Sequence, residues 1–292
     1  MNMVKQNITR TYIYMAVLTS VVALMAYAIS QASGYGSSGV GIGLLIAGII
    51  NFAAYYFSDR IVLAQSRAQK VEQHDAPEYF EIVSALARKA QLPMPTLYII
   101  PDTAMNAFAT GRDADHAAVA ATQGLLERLN HDELEGVLAH ELSHVRNYDM
   151  RLMSTVSILV GMLNILANMF WRAGLMGRSS NRENSNANSI VSILLIMVTP
   201  IVGVLIQLAI SRQREYLADA SAAQLVGSPS GLIHALQKLE SFKLPLATAD
   251  VSTAHLYINN PFGDNFAFSS LFSTHPPMQE RIARLEQLAQ TD

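Results

Sequence analysis

The sequence predicts a mainly α-helical membrane protein, in which four membrane-spanning helices accompany an α+β part with a small sheet. The first reason is composition, because 51% of the 292 residues are hydrophobic and 15% are charged, against a usual charged share of about 25%. The second is that residues 11–30, 39–57, 152–171 and 189–211 contain no charged side chain, and each stretch is long enough to cross a bilayer. The third is a group of short apolar segments between polar turns, a pattern typical of strands.

The order of these stretches predicts two domains. Residues 1–59 form an N-terminal transmembrane hairpin, and residues 60–292 form a second domain that the third and fourth spans interrupt. Glycine and serine residues between the first two spans favour a tight turn. A cleaved signal peptide, with an Ala-Tyr-Ala cleavage site at residues 26–28, is the alternative for the first span. The second span follows so closely that the hairpin is the preferred interpretation.

The third and fourth spans contain polar residues within their apolar sequence. Asn164 and Asn168 lie in the third span, and Pro200 and Gln207 lie in the fourth. Such residues are tolerated in a membrane when they face neighbouring helices. The alternative is that both stretches form a hydrophobic hairpin buried within the soluble part, but their length and lack of charge favour spanning.

Basic residues predict how the four spans are oriented. One side of the four-span arrangement carries Lys5, Arg10, Arg60, Arg67, Lys70, Arg212 and Arg214. The other side carries Arg172, Arg178 and Arg182, which weakens the asymmetry without reversing it. Because the more basic side is cytoplasmic, both termini and the segment between the second and third spans are expected in the cytoplasm.

The segment between the second and third spans predicts one helix and a small sheet. A proline in the first turn and the spacing of apolar residues predict a helix from Pro77 to Gln91. Residues 96–100 have the pattern of a short buried strand, and residues 106–111 and 117–122 that of two further strands around a polar turn. The outer edge of this sheet could bind an extended polypeptide by strand addition. A purely structural hairpin fits the sequence equally well.

One predicted helix, residues 132–144, carries the residues with the clearest chemistry, since it contains His-Glu-Leu-Ser-His. Positions four residues apart share a helix face, so His140 and His144 can bind one metal ion. Glu141 lies about 100° around the helix, where it can act on a water molecule without binding the metal. Two surface histidines on a charged helix are the alternative, and a third ligand decides between them.

The third ligand is expected directly after the fourth span, where Glu215 and Asp219 are four residues apart. If the third and fourth spans are antiparallel neighbours, their cytoplasmic ends bring Glu215 to His140 and His144. Two histidines and a glutamate form a ligand set of catalytic zinc sites, and Asp219 can accept a hydrogen bond from a ligand imidazole. The alternative for Glu215 is a salt bridge with a neighbouring arginine. The chain has no cysteine, which excludes a thiolate site.

The C-terminal region predicts a helix from about Met278 to Ala289, preceded by two prolines. His275 and Arg281 flank the start of this helix and are candidate donors to the oxyanion that forms when water attacks a carbonyl. The alternative is a helix cap and a surface charge. Five further histidines lack a partner at ligand spacing and are expected to make local or surface contacts; they are His74, His116, His131, His234 and His255.

At this point the chain resembles the HtpX-like integral-membrane zinc metallopeptidases and, more distantly, the CAAX prenyl proteases. The similarity covers nearly the whole chain. It includes the N-terminal hairpin, Asn-Ala-Phe-Ala-Thr-Gly at 106–111, His-Glu-Leu-Ser-His-Val-Arg-Asn-Tyr-Asp at 140–149, the pair Glu215 and Asp219, and Ser-Thr-His-Pro-Pro-Met-Gln-Glu-Arg-Ile at 273–282.

The resemblance implies a zinc endopeptidase of the bacterial inner membrane, with one Zn²⁺ per chain. Its partners would be the lipid bilayer and polypeptides, chiefly misfolded or damaged membrane proteins cut on the cytoplasmic side during stress. The implied site has His140, His144 and Glu215 as ligands, Glu141 as base, His275 and Arg281 as oxyanion donors, and Asn106 and Ala107 as contacts to the substrate backbone. A net charge of −3 gives no reason to expect a nucleic-acid partner.

Two other function classes fit parts of the sequence. An inactive membrane chaperone or adaptor on a protease-like scaffold would have lost its chemistry, and the presence of Glu141 argues against it. A metal transporter would need ionisable residues within its spans, and the four predicted spans contain none.

Overall fold

The structure is a computed structural model that describes residues 2–32, 38–177, 212–263 and 276–290. It begins with two long helices, α1 (Asn2–Ala32) and α2 (Ser38–Tyr56), followed by the short helix α3 (Ser58–Gln65). The first two helices pack together, and the Asn51 amide of α2 donates a hydrogen bond to Thr19 Oγ1 of α1 at 2.6 Å. The predicted N-terminal pair of helices is therefore present.

A helix that crosses a membrane must be both long enough and apolar enough. Within the described ranges no single helix meets both requirements, whereas Gly41–Tyr56 and Ser58–Gln65, which meet at an angle of 77°, satisfy them as a bent pair. The fourth predicted span, residues 189–211, lies outside the described residues. The transmembrane placement of all four stretches stays a prediction.

A four-stranded mixed sheet follows the hairpin. Its elements in chain order are β1 (Gln69–Lys70), helix α4 (Pro77–Ala90), β2 (Thr96–Ile100), β3 (Ala107–Thr110) and β4 (Ala118–Thr122). The spatial order is β1-β2-β4-β3, with β2 and β4 parallel and the other pairs antiparallel. The predicted helix and strands are confirmed within one residue, and β3 lies at an edge of the sheet.

Both faces of the sheet are covered, because alternate residues of a strand point to opposite sides. Phe108 and Ala120 pack in one apolar cluster with residues of the hairpin, α3 and the long helix that follows the metal-binding motif. Ala109 and Val119 pack in a second cluster with α4 and the helix that carries the motif. The sheet therefore connects the N-terminal hairpin to the region of the candidate site.

The predicted metal-binding helix is α6 (His131–Arg146), which follows the short α5 (Gln123–Arg128) and precedes α7 (Asp149–Gly177). Asn130 caps α6: its Oδ1 accepts from Glu133 N at 3.0 Å, and Asn130 N donates to Glu133 Oε2 at 2.9 Å. This reciprocal pair satisfies two N–H groups that have no partner within the helix. Tyr148, with φ of +59°, turns the chain between α6 and α7.

Three further helices complete the described structure. They are α8 (Arg212–Val226), α9 (Ser230–Ser241) and α10 (Met278–Ala289). The bounds predicted for the C-terminal helix are confirmed. Helix α6 packs against both α8 and α9, so that the two motif-bearing helices, α6 and α8, are neighbours. Between α9 and α10, residues 252–258 are buried in the core, although the sequence from Leu244 to Leu271 shows little pattern.

Candidate metal centre

The structure brings together the three predicted ligands. His140 and His144 lie one turn apart on α6, and their Nε2 atoms are 3.2 Å apart. The carboxylate of Glu215, on α8, lies 3.7 Å from His140 Nε2 through Oε2 and 3.5 Å from His144 Nε2 through Oε1. All three side chains are buried. The packing of α6 against α8 thus assembles one site from residues 71 to 75 positions apart in the chain.

These three side chains fit a divalent metal ion. One ligand atom from each lies within 4.8 Å of the others. In a tetrahedral zinc site with bonds of about 2.0–2.1 Å, neighbouring ligand atoms are about 3.3 Å apart, close to the spacings in this structure. Two imidazole nitrogens and a carboxylate oxygen are also donors that zinc accepts.

Asp219 orients the first ligand, His140. Its Oδ1 lies 2.9 Å from His140 Nδ1, which leaves Nε2 turned toward His144 and Glu215. Arg281 in turn donates to both oxygens of Asp219, from Nε at 2.9 Å and from Nη2 at 2.7 Å. A carboxylate that accepts from the second ring nitrogen of a metal-binding histidine fixes the tautomer and the ring orientation.

Asp149 orients the second ligand, His144, in the same way. Its Oδ2 lies 3.3 Å from His144 Nδ1, and Asp149 is itself buried. This residue was not among the predicted site residues. It follows His144 by five positions and lies beyond a helix break, where helical spacing gives no information about side-chain contacts.

Burial and neighbouring charges shift the pKa values of the two histidines and of Asp219. Burial, with the positive charge of Arg281, lowers the pKa of His140. Burial alone would also lower the pKa of His144, but its hydrogen bond to Asp149 and the charge of Glu215 outweigh this effect and raise the pKa to about 9. Burial would raise the pKa of Asp219, but Arg281 and His140 lower it to about 2. Asp219 is therefore the ionised partner in this group.

Glu141 lies beside the ligands on α6 and is buried. Burial, reinforced by the charge of Glu215, raises the pKa of Glu141 to about 7. The backbone N–H of Ala109, in the edge strand β3, partly opposes this rise in the pKa. A cation bound to the three ligands would lower this pKa again by attraction. Glu141 is thus placed to exchange a proton at this site near neutral pH.

Asn106 and Ala107, the predicted contacts to the substrate backbone, are hydrogen-bonded to residues 258 and 259. Asn106 is buried, and its amide bonds to the backbone of Asn259, with Nδ2 donating to the carbonyl at 2.9 Å and Oδ1 accepting from the N–H at 3.0 Å. The carbonyl of Ala107 accepts from Ile258 N at 3.0 Å. A peptide strand could pair with this part of β3 only if residues 258 and 259 moved. The substrate-binding role of Asn106 and Ala107 stays a prediction.

Arg281 is fully buried and points its guanidinium at the carboxylates, with Nη1 3.7 Å from Glu215 Oε2. It is therefore neither a surface charge nor remote from the ligands. Its predicted action on an oxyanion stays a prediction. The other predicted oxyanion donor, His275, lies outside the described residues.

Four of the remaining histidines make local contacts, as predicted, and His234 is exposed. His74, His116 and His131 lie 3.3, 2.5 and 3.1 Å from Asp75, Asp113 and Glu78 respectively. His255 is buried rather than exposed, and its Nε2 donates to the carbonyl of Met153 at 3.0 Å.

The site combines two histidine ligands on one helix, a glutamate ligand from a neighbouring helix and a buried glutamate beside them. This combination defines a metallopeptidase. Comparison with known proteins gives the same class. The model of peptidase family M48 matches residues 73–289, and the chain belongs to this family.

Its relatives include proteins named as protease HtpX homologs. The one from Thermococcus sibiricus is 43% identical, with 96% of each chain covered. The one from Campylobacter concisus is 46% identical and covers 92% of this chain and 94% of its own. Among solved structures, Ste24p of S. mikatae shares the fold, with a TM-score of 0.53 at 17% identity over 95% of this chain and 67% of Ste24p.

Proposed function

We propose that this protein is a membrane-bound zinc endopeptidase that hydrolyses misfolded or damaged membrane proteins at the cytoplasmic face of the bacterial inner membrane, in quality control and stress response. The observation that carries the proposal is the placement of Glu141 beside the three ligand side chains in one buried site. A zinc ion held by His140, His144 and Glu215 would supply Lewis-acid activation of a water molecule and of the scissile carbonyl.

Glu141 is the general base of the proposed reaction. Its carboxylate accepts a proton from the attacking water and then donates that proton to the nitrogen of the leaving amine. Burial raises the pKa of this carboxyl and a bound cation would lower it again, and a group that titrates near the working pH can accept and release a proton with little cost.

The edge strand β3 is also the proposed place for the substrate. Residues 107 and 109 direct their backbone groups away from β4, because Asn106 pairs with Thr122 and the pairing alternates along an antiparallel strand. A peptide bound by strand addition there would lie next to Glu141. This arrangement requires that Ile258 and Asn259 first release Ala107 and Asn106.

The membrane part of the proposal rests on the surface of the N-terminal hairpin. Its outward-facing large apolar side chains are Tyr12, Ile13, Val17, Leu24, Tyr27, Ile42, Leu44, Leu45, Ile46, Ile49, Phe52, Tyr56 and Phe57. Soluble monomers rarely expose so extended an apolar surface. A lipid bilayer is the partner that covers it most simply, with the basic residues near its ends facing the cytoplasm.

The decisive experiment compares two glutamates on α6. Glu141→Gln is expected to abolish cleavage of casein by the detergent-purified protein while zinc content stays at one per chain. The matched control is Glu135→Gln, since Glu135 lies on the same helix but reaches Lys89 at 3.9 Å; this variant should cleave normally. Casein cleavage by Glu141→Gln at the wild-type rate would contradict the proposed base. A wild-type protein that binds zinc without cleaving would favour the chaperone alternative.

A further inference from the structure

The N-terminal helix α1 reaches the metal centre through Asn7. The side chain of Asn7 is 1% exposed, and its Nδ2 donates to Asp149 Oδ1 at 2.7 Å and to the carbonyl of Asn147 at 2.9 Å. The backbone carbonyl of Asn147 can only accept, so the amide nitrogen must be the group that faces it. The contact joins residues 142 positions apart.

The two carboxylate oxygens of Asp149 make different contacts. Oδ2 lies against His144 Nδ1 at 3.3 Å, whereas Oδ1 accepts from Asn7 and lies 3.5 Å from Arg214 Nε. Helices α1, α6, α7 and α8 therefore meet at one buried carboxylate. A free carboxylate rotates about its terminal torsion in a broad well, and the donors on Oδ1 restrict that rotation.

The two ligand histidines differ in where their supporting contacts come from. Asp219 and Arg281, which orient His140, belong to α8 and α10. The support for His144 includes a donor from the N-terminal hairpin. The amide of Asn7 also adds no charge next to Asp149.

We propose that Asn7 is a positioning residue of the metal centre: it holds Asp149 in the orientation that aims His144 Nε2 at the metal. The proposal rests on the proposed function, because it requires that the site bind a metal. It makes zinc affinity depend on the docking of α1 against α7, so that a chain with a displaced N-terminal helix retains the three ligands but binds zinc more weakly.

The test measures zinc affinity by competition with a chromogenic chelator, using full-length protein in detergent. Supporting contacts to a ligand histidine change metal affinity by about 10–100-fold when they are lost. Because Asn7 acts one contact further out, Asn7→Leu is expected to raise the zinc Kd by about 10-fold, at the lower end of that range. The kcat of zinc-saturated protein should fall more than KM changes, since no substrate contact is removed.

Asn51→Leu is the matched control. Asn51 is also an amide of the hairpin, and it donates to Thr19 Oγ1 and to the carbonyl of Met15, far along the chain from the ligands. This variant should lower the melting temperature of the metal-free protein by an amount similar to Asn7→Leu and leave the zinc Kd unchanged. An equal rise in Kd for both variants, or no rise for Asn7→Leu, would overturn the proposal.

Two further variants keep the test decisive if Asn7→Leu does not fold. Asn7→Ser keeps a polar side chain but is too short to reach both acceptors, and it should raise the zinc Kd in the same direction. In an Asp149→Asn background, Asn7→Ser should have little further effect, because a contact that acts through Asp149 is already lost. Additive effects would refute the route through Asp149. A wild-type protein that binds no zinc would instead refute the proposed function.

Discussion

Arg281 and Asp219 form the buried ion pair on which the orientation of His140 depends. Arg281→Ala would leave the Asp219 charge buried without its main partner, which costs about 3–5 kcal/mol in comparable pairs. We expect a lower free energy of unfolding, weaker zinc binding and a reduced kcat. Arg281→Lys should recover only part of each, because an ammonium cannot donate to both carboxylate oxygens in the fork that guanidinium provides.

Measurements on the Arg281 variants separate the two roles considered for this residue. If it only orients His140 through Asp219, zinc affinity and kcat should fall together. If zinc affinity and melting temperature stay at wild-type values while kcat falls by roughly 10²–10³-fold, as when an oxyanion donor is removed, the sequence-based oxyanion role would be supported and the orienting role refuted.

Comparison of Glu215→Ala with Glu141→Gln should separate metal binding from catalysis. Glu215→Ala removes the carboxylate that lies against both histidines, and two imidazoles alone do not complete a zinc site. We expect this variant to lose both zinc and activity, unlike Glu141→Gln, which keeps zinc. Zinc analysis of the two purified proteins checks the prediction, and full occupancy in Glu215→Ala would show that another residue supplies the third ligand.

Residues could be predicted from the sequence where helical spacing determines their contacts. His140 and His144 are four positions apart on one helix, and so are Glu215 and Asp219, so each pair shares a face before any tertiary contact is known. Asp149 could not be found in this way because Tyr148, at φ of +59°, breaks the helix before it. Asn7 could not be found because its partner is far away in the chain and neither residue belongs to a shared periodic pattern.

At the scale of elements, the position of α6 depends on a close approach to α9. A Cβ on Gly136 would lie 2.6 Å from Leu232 N, and one on Gly231 would lie 2.2 Å from Asp132 O. Both neighbours are backbone atoms, which cannot rotate away as a side chain can. The two glycines thus allow α9 to pack tightly against the helix that carries both histidine ligands.

Gly136→Ala is therefore expected to destabilise the protein. Alanine is favoured over glycine in a helix by about 1 kcal/mol, but overpacking costs about 1–3 kcal/mol or more, and a backbone clash places this site at the upper end. Gly161→Ala on α7 is the matched control, since among the described residues its Cβ would meet only Ser252 side-chain atoms, at 3.6 Å and beyond. Thermal unfolding should show a loss for Gly136→Ala only; an unchanged melting temperature would mean that α6 and α9 can move apart.

The strands show what local sequence can and cannot determine. Apolar runs between turn residues located β2, β3 and β4, because a strand buried on both faces reads as a continuous apolar segment. The parallel pairing of β2 with β4 was not predicted. Nothing local to Thr96 or Ala118 shows that these residues are paired, since strand order depends on how α4 and α6 cover the sheet.

At the scale of the whole molecule, the hairpin and the segments that follow it share one core. A single apolar cluster includes Tyr14 and Ala47 of the hairpin, Phe108 of the sheet and Leu152 of α7. The domain boundary predicted at residue 59 falls within this continuous packing. Hydropathy separates apolar spans from polar segments in the sequence, but it contains no information on which spans pack against a sheet.

Reporter fusions test the membrane topology of the chain directly. If α1, α2 and α7 cross the membrane with the metal centre in the cytoplasm, reporters fused after Asp149 and after Leu225 should both be cytoplasmic. A reporter inserted between residues 178 and 188 should be external, as should one inserted at the turn between the first two helices. The expectation follows from the excess of Lys and Arg next to the predicted cytoplasmic ends.

The two reporters that are expected to be external test different parts of the topology. If the one between residues 178 and 188 were cytoplasmic while the one in the first turn were external, residues 152–211 would form a hairpin that does not span. The ligands on α6 and α8 would still meet, because their contact depends on the packing of these helices and not on a bilayer. If the first-turn reporter were also cytoplasmic, the exposed apolar surface of α1 and α2 would need another partner, and the membrane-bound part of the proposal would be wrong while the peptidase site stayed intact.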